Sequence, residues 1–448
     1  MTLPTRRDIF SLAWPLALNA IMLHGLVVID AVLVTPLGEA ALAAMGLAAS
    51  IGGFLVGVIF AFCNATQILI ARAYGAKDEV ALKSALWCGL AINLVATVLG
   101  LTLVAILGRH IVESFAQTTA IAQNALEYLT VFAVVILAEA FAQCLTCYFN
   151  GCGRTRIPFF SHLIAMPTNV GLSAMLIYGI GGAPELGLIG AAIGSAVGAV
   201  LRGVYLAWQI MRYNRVHIGL DGWSHGTFLI TMRRNLMFSL PIAATFTSVV
   251  LANSLCALLY ARMGVNQFAA MTIILPWVQL TGQLMITWAQ ASAILIGQLL
   301  GNGAPSGKID RFLTRSWRSA LGLGIVVIVT YVALGLSFPL LYRDLQDETL
   351  DALTSFLPAL VLLTLPKCSN AVCGNTLRAG GDTVYVMNIF LVSQWLIRVP
   401  LTALCILMFH LSATWVFALF LLDELVKFPP FHLRLRAGKW KVPLDQRV

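Results

Sequence analysis

Stretch after stretch of this chain stays apolar for longer than a hydrocarbon layer is thick. Crossing a layer of ~30 Å takes about 20 helical residues at about 1.5 Å each. Runs that meet this requirement cover 9–35, 41–72, 84–108, 118–149, 157–180 and 186–211, then 236–261, 267–299, 316–342, 348–377, 385–409 and 412–432. Charged residues are 10% of the 448 and hydrophobic ones 59%, so the surface cannot be covered with polar groups and lipid must be the solvent. The expectation is an all-α integral membrane protein of twelve transmembrane helices. Several runs are longer than an upright span needs, which implies tilt or ends reaching into water.

The net charge of +9 does not mark a nucleic-acid binder. Lys and Arg stand in short clusters between the apolar runs, without a basic stripe carrying interleaved aromatics. Arg6, Arg7, Arg72, Lys77, Arg154, Arg156, Arg233, Arg234, Arg311 and Arg315 fall on one side. The opposite loops hold Arg109, Arg262 and Arg343 beside Asp344, Asp347, Glu348 and Asp351. The positive-inside rule then puts both termini in the cytoplasm and requires an even helix count. The run after Arg7 is too long for the core of a cleavable signal peptide. The nine cysteines lie mostly within apolar stretches. Cys144 and Cys147 read as small apolar filler, since a redox C-x-x-C normally follows a strand.

The chain also repeats itself. Pro241 in the second half answers Pro15 in the first, and at the same offset Met263-Gly264 answers Leu37-Gly38. Ala269-Ala270-Met271 answers Ala43-Ala44-Met45, and the run Ala291–Ile296 answers Ala65–Ile70. Gly381-Asp382-Thr383 answers Gly153-Arg154-Thr155 with the offset longer by two. An offset held through so many matches marks a duplicated unit. Six helices per copy is even, so the copies enter from the same side as parallel repeats about a central cleft. The expected division is a lobe at 1–212, a cytoplasmic linker at 213–235 and a second lobe at 236–448 with a short basic tail. Gly190, Gly194 and Gly198, like Gly53 and Gly57, recur at the spacing that lets helices approach closely in lipid. Prolines 15, 167, 276, 358, 366 and 400 are candidate bends, Pro15 foremost.

In order along the chain, Trp14-Pro15 with Asp30, the run Leu37–Gly46, the segment Ala71–Asp78 and their second-half counterparts resemble the multidrug and toxic compound extrusion (MATE) transporters. Arg398-Val399-Pro400-Leu401 and Gly438-Lys439-Trp440 add to the likeness, which covers nearly the whole chain. The resemblance implies secondary active efflux of small organic compounds coupled to H⁺ or Na⁺, with no cofactor and no enzymatic step. A monomer is expected. It also implies a cation-coupling site on the first helix at Asp30, with Asn169 matching the family's Asn. Ser173 stands where the family has a second Asp, and Ser195 where it has a Thr.

The residues support that site independently. An ionisable group within the bilayer is functional by default, and Asp30 lies in an otherwise apolar first helix. Counted along their helices at the α-helical rise, Asp30, Asn169, Ser173 and Ser195 share the outer half of the bilayer, and Asn169 and Ser173 share a helix face. These oxygens, Asp30 and Asn169 first, would ligate Na⁺; alternatively Asp30 carries a proton, because desolvation favours the neutral acid. Ser173 in place of an acid leaves one formal charge, and H⁺ is favoured over Na⁺.

A second constellation follows from the repeat. Glu139 and Lys367 occupy equivalent positions, which suggests an inter-lobe gate; the alternative is that each is neutralised in its own lobe, Lys367 for example by Glu424. Asn253, Gln283, Asn370 and Arg398 are candidate substrate contacts in a second lobe that reads neutral to basic, so a zwitterionic or anionic substrate is a live option. His24 and His162 are candidate relays, with packed histidines the plainer reading. Phosphate loops, paired catalytic carboxylates, His/Cys clusters and a G-x-S-x-G do not occur. The alternative that the resemblance implies keeps this architecture but exports or flips a lipid-linked or metabolite cargo, as other members of the wider superfamily do. A channel would need a polar ring repeated by symmetry, and an enzyme a polar cluster at one face.

Overall fold

The computed structural model describes residues 3–213, 228–341 and 345–441. Among these, every regular element is a helix. Six belong to the first repeat: α1 (Arg6–Val34), α2 (Glu39–Ala76), α3 (Glu79–Phe115), α4 (Thr119–Gly151), α5 (Arg156–Tyr178) and α6 (Leu188–Tyr213). The second repeat supplies α7 (Phe228–Tyr260), α8 (Val265–Gly301), α9 (Ser306–Leu341), α10 (Asp347–Ala379), α11 (Thr383–Met408) and α12 (Ala413–Arg436). Eleven of them are long and apolar enough to cross a membrane. The twelfth, α12, is interrupted by Asp423, Glu424 and Lys427, whose charges are met within the protein as described below. The protein is thus an all-α, multi-pass membrane protein.

Local chemistry sets the ends. Asp78 caps α3 by accepting from the Ala81 amide at 2.9 Å, and Thr118 caps α4 through the Ile121 amide at 3.2 Å. Each satisfies a backbone donor that the first turn leaves without a helical partner. Lys77 closes α2 in the left-handed region at φ 56°. Pro358 sits where α10 breaks, just after Phe356, and Pro15, Pro167, Pro276 and Pro366 lie inside helices. Pro400 instead begins a short α-helical turn of α11, between two π-helical segments, Val392–Arg398 and Leu404–Met408.

The chain forms two compact units. One comprises Pro15–Ala243, the N-unit; the other comprises Met1–Trp14 with Ala244–Val448, the C-unit. The divisions fall at equivalent places in α1 and α7, immediately before Pro15 and just after Pro241. The expected linker lies largely on residues 214–227, outside the described set. Its described part, from Phe228, is the opening turns of α7. The basic tail from 442 and the loop residues Arg343 and Asp344 also lie outside.

Close backbone approach holds each unit together, as it must where lipid removes most of the hydrophobic drive between helices. A Cβ on Gly151 of α4 would come within 2.9 Å of the Gln67 carbonyl of α2, and one on Gly89 of α3 within 2.3 Å of Thr66. In the C-unit, fully buried Trp440 packs on Gly380, whose Cβ would meet the Trp440 carbonyl at 2.6 Å. Arg434 clasps Asp382 alongside, at 3.0 Å. Gly53 and Gly57 depart from expectation: nothing lies within 4 Å of a Cβ built on either, so they mediate no close helix contact among the described residues. All nine cysteines are free thiols and eight are buried.

Candidate functional site

The N-unit brings Asp30, Asn169, Ser173 and Ser195 together. The glycines of α6 make this possible. A Cβ on Gly190 would fall 2.6 Å from the Leu176 backbone, one on Gly194 2.1 Å from Ser173 Oγ, and one on Gly198 3.0 Å from Asn169 Cβ. With no side chains in the way, α6 seats Ser195 beside the buried Asn169 and Ser173 of α5. The bonds then run in one direction. Ser173 Oγ donates to Asn169 Oδ1 at 3.4 Å, Asn169 Nδ2 donates to Ser195 Oγ at 3.1 Å, and Ser195 Oγ donates to Asp30 Oδ2 at 3.5 Å. Every link points its donor toward the carboxylate. The other carboxylate oxygen, Oδ1, is buried and has no hydrogen-bond partner among the described residues. Tyr178 donates to the Leu33 carbonyl at 2.6 Å, which ties α5 to α1 about one turn beyond Asp30.

Glu139 finds its partner within the N-unit. Arg202 of α6, only 2% exposed, lies 2.7 Å from one Glu139 oxygen and donates to the other at 2.9 Å, while its Nη2 donates to Gln143 at 3.2 Å. This is the own-lobe alternative to the gate drawn from the repeat, since Glu139 already has a cation of its own. His162 of α5 lies within electrostatic range of the same guanidinium, whereas His24 is exposed on α1.

The C-unit holds a larger charged cluster. Lys427 of α12, 4% exposed, pairs with Asp423 and with Glu424, each at 2.9 Å. Asn370 of α10 donates to the Glu424 carbonyl at 2.7 Å and to its carboxylate at 2.8 Å. Arg398, in the first π-helical segment of α11, donates to Asn253 Oδ1 at 2.9 Å and rests 4.4 Å over the Phe420 ring. Trp395 braces that segment by donating to Ser248 of α7 at 2.7 Å. Lys367 lies close enough to Glu424, Lys427 and Arg398 to feel their charges, yet it forms no hydrogen bond or ion pair among the described residues. Its Nζ is 2.8 Å from where a Cβ would sit on Gly282, so the glycine makes room for the ammonium. Gln283, next along, joins none of these bonds.

Sequence reasoning missed Arg202, Asp423 and Lys427. The first carried the signal of any charge deep in an apolar helix. The other two stand four residues apart on one face, where Lys427 can reach back to Asp423.

The family model described as MatE matches residues 15–175 and 241–404, two segments that begin at the two equivalent prolines. The probable multidrug resistance protein NorM of Rhizobium meliloti is 25% identical over 380 residues, spanning 82% of this chain and 79% of that protein. Two solved structures share the fold. A MOP superfamily transporter from Pyrococcus furiosus, for which a binding pocket of reverse polarity suggests a different function, has a TM-score of 0.84 at 18% identity. It covers 97% of this chain and 96% of its own. A MATE protein in the bent conformation has a TM-score of 0.85 at 17% identity, covering 99% and 96%.

Proposed function

Because the chain belongs to the MatE family, a family of transporters and not of enzymes, we propose that it exports small organic compounds across a bacterial inner membrane in exchange for protons. Both termini are cytoplasmic on this reading, and transport proceeds by alternating access. The observation that carries the coupling assignment is the one-way hydrogen-bond chain from Ser173 through Asn169 and Ser195 to Asp30.

A lone buried carboxyl with one long hydrogen bond and, among the described residues, one unpartnered oxygen suits a proton better than a sodium ion. Sodium needs several oxygens turned toward it, whereas here the Asn169 amide oxygen already accepts from Ser173 and the Ser195 hydroxyl already donates to Asp30. Protonation of Asp30 removes the charge that draws the Ser195 hydroxyl, and so weakens the hold of α6 on α1. Loss of the proton restores that hold. The helix that carries Asp30 also carries Pro15, where a backbone hydrogen bond is missing and bending is cheap. Proton occupancy at one end of α1 is in this way linked to the shape of the whole helix.

The test is dye efflux from membrane vesicles under an imposed pH gradient or an imposed Na⁺ gradient. A pH gradient should drive transport by the wild type, and Asp30→Asn should lower that transport by about tenfold or more, within the usual range of coupling energies. Transport that follows only the Na⁺ gradient, or that ignores the mutation under both, overturns the assignment.

A further inference from the structure

The charge ledger of the C-unit does not close. Lys367, Arg398 and Lys427 face Asp423 and Glu424, which leaves one positive charge unspent. Lys427 takes both carboxylates, through contacts of 2.9 Å each. Arg398 takes a neutral amide oxygen and an aromatic face, and lies within electrostatic range of Asp423 and Tyr260. Lys367 makes no hydrogen bond or ion pair among the described residues and feels Glu424 only at longer range. A membrane-embedded ammonium without a direct partner is costly, and a protein keeps one where something else supplies the counter-charge.

We infer that Lys367, with Arg398 beside it, binds an anionic group of the transported compound, most simply a carboxylate. This rests on the export reading above and names the chemistry of its substrate.

Three details support the assignment. First, Lys367 Nζ packs against Gly282, 2.8 Å from where a Cβ would sit, so the glycine fixes where the ammonium lies. Second, the Arg398 guanidinium lies over the Phe420 ring and donates to Asn253, with Tyr260 and Asp423 also close by, and its planar fork of donors suits a planar acceptor. Third, the nearby acids cannot repel an anion with their full charge. Lys427 pairs with both, and the Asn370 amide also donates to the Glu424 carboxylate. What an incoming ligand meets is therefore net positive, and a simple organic cation has no carboxylate to pair with there. A compound bearing a carboxylate, alone or together with a cationic centre, has what the site lacks.

The experiment compares rhodamine B with its ethyl ester, two dyes that share one cationic ring system and differ in a free carboxylate. Binding to the purified full-length protein in detergent is read by fluorescence anisotropy, with no ion gradient. Wild type should bind the acid about tenfold more tightly than the ester, the scale of one partly buried charge pair. Lys367→Gln should abolish that preference by weakening the acid alone, and Lys367→Arg should keep it. Equal binding of acid and ester by the wild type overturns the inference, as does a preference that survives in Lys367→Gln. Failure of the proton-coupling assay leaves this gradient-free measurement untouched, so the two readings fall separately.

Discussion

The two repeats share a scaffold and spend their polar residues differently. At the position of Asp30 the second repeat has Cys256, whose thiol lies near Tyr260 and makes a weak contact with Thr402 at 4.0 Å. At the position of Glu139 it has Lys367. The last helix pair of each repeat differs as sharply. In the N-unit, α5 and α6 meet backbone to backbone along Gly190, Gly194 and Gly198, and their few polar side chains form one ordered chain. In the C-unit, α12 has no such stripe, and α11 widens into π-helical turns that present Arg398. Phe417 and Phe420 of α12 fill the space, Phe417 stacked on Phe356 at 4.6 Å. Tight backbone packing suits a small site for a small ion. A looser pair with bulky and charged side chains suits contact with a larger molecule.

Removing the cation at each charged cluster tests how differently the units carry charge. Lys427→Met takes from Asp423 and Glu424 the one cation among the described residues in ion-pair contact with both, and should cost about 5 kcal/mol of stability, the upper end for a broken buried ion pair. Arg202→Met strands Glu139 alone and should cost about 3 kcal/mol on the same scale. Thermal unfolding midpoints in detergent measure both. Neutralising the acid as well, with Glu139→Gln added to Arg202→Met, should recover most of the loss, because the penalty comes from the stranded charge. If the double variant is no more stable than the single, Glu139 and Arg202 are not the pair the geometry describes.

The fold was legible because its cause is local: each span announces itself by an apolar run, and the duplication by an offset anyone can count. That Asp30, Asn169, Ser173 and Ser195 would lie together followed from the family resemblance, and depth along each helix, set by a constant rise per residue, agreed with it. Partner choice was not legible. Glu139 and Arg202 stand 63 residues apart, and Glu139 pairs with Arg202 because α4 packs on α6, a fact of helix arrangement that no spacing records. Nor did spacing distinguish one glycine pair from another. Gly53/Gly57 and Gly190/Gly194 have the same four-residue interval, yet only the second faces a neighbouring backbone.

That last contrast gives the smallest expected effects and the cleanest comparison. A methyl group at Gly194 has no room. It would overlap Ser173 Oγ at 2.1 Å and the Ser173 backbone nitrogen at 2.8 Å, and the backbone cannot swing aside as the hydroxyl can. Gly194→Ala should therefore cost about 1–3 kcal/mol, the usual range for overpacking, and should weaken proton coupling by moving Ser195 away from Asp30. At Gly53 and Gly57 a methyl meets nothing within 4 Å. There Gly→Ala should be neutral or stabilising by up to ~1 kcal/mol, since alanine loses less backbone freedom in a helix. Unfolding midpoints of the three single variants decide the matter. If Gly53→Ala or Gly57→Ala is as damaging as Gly194→Ala, those residues face a contact that the described helices do not contain, and close packing is not special to the α5–α6 pair.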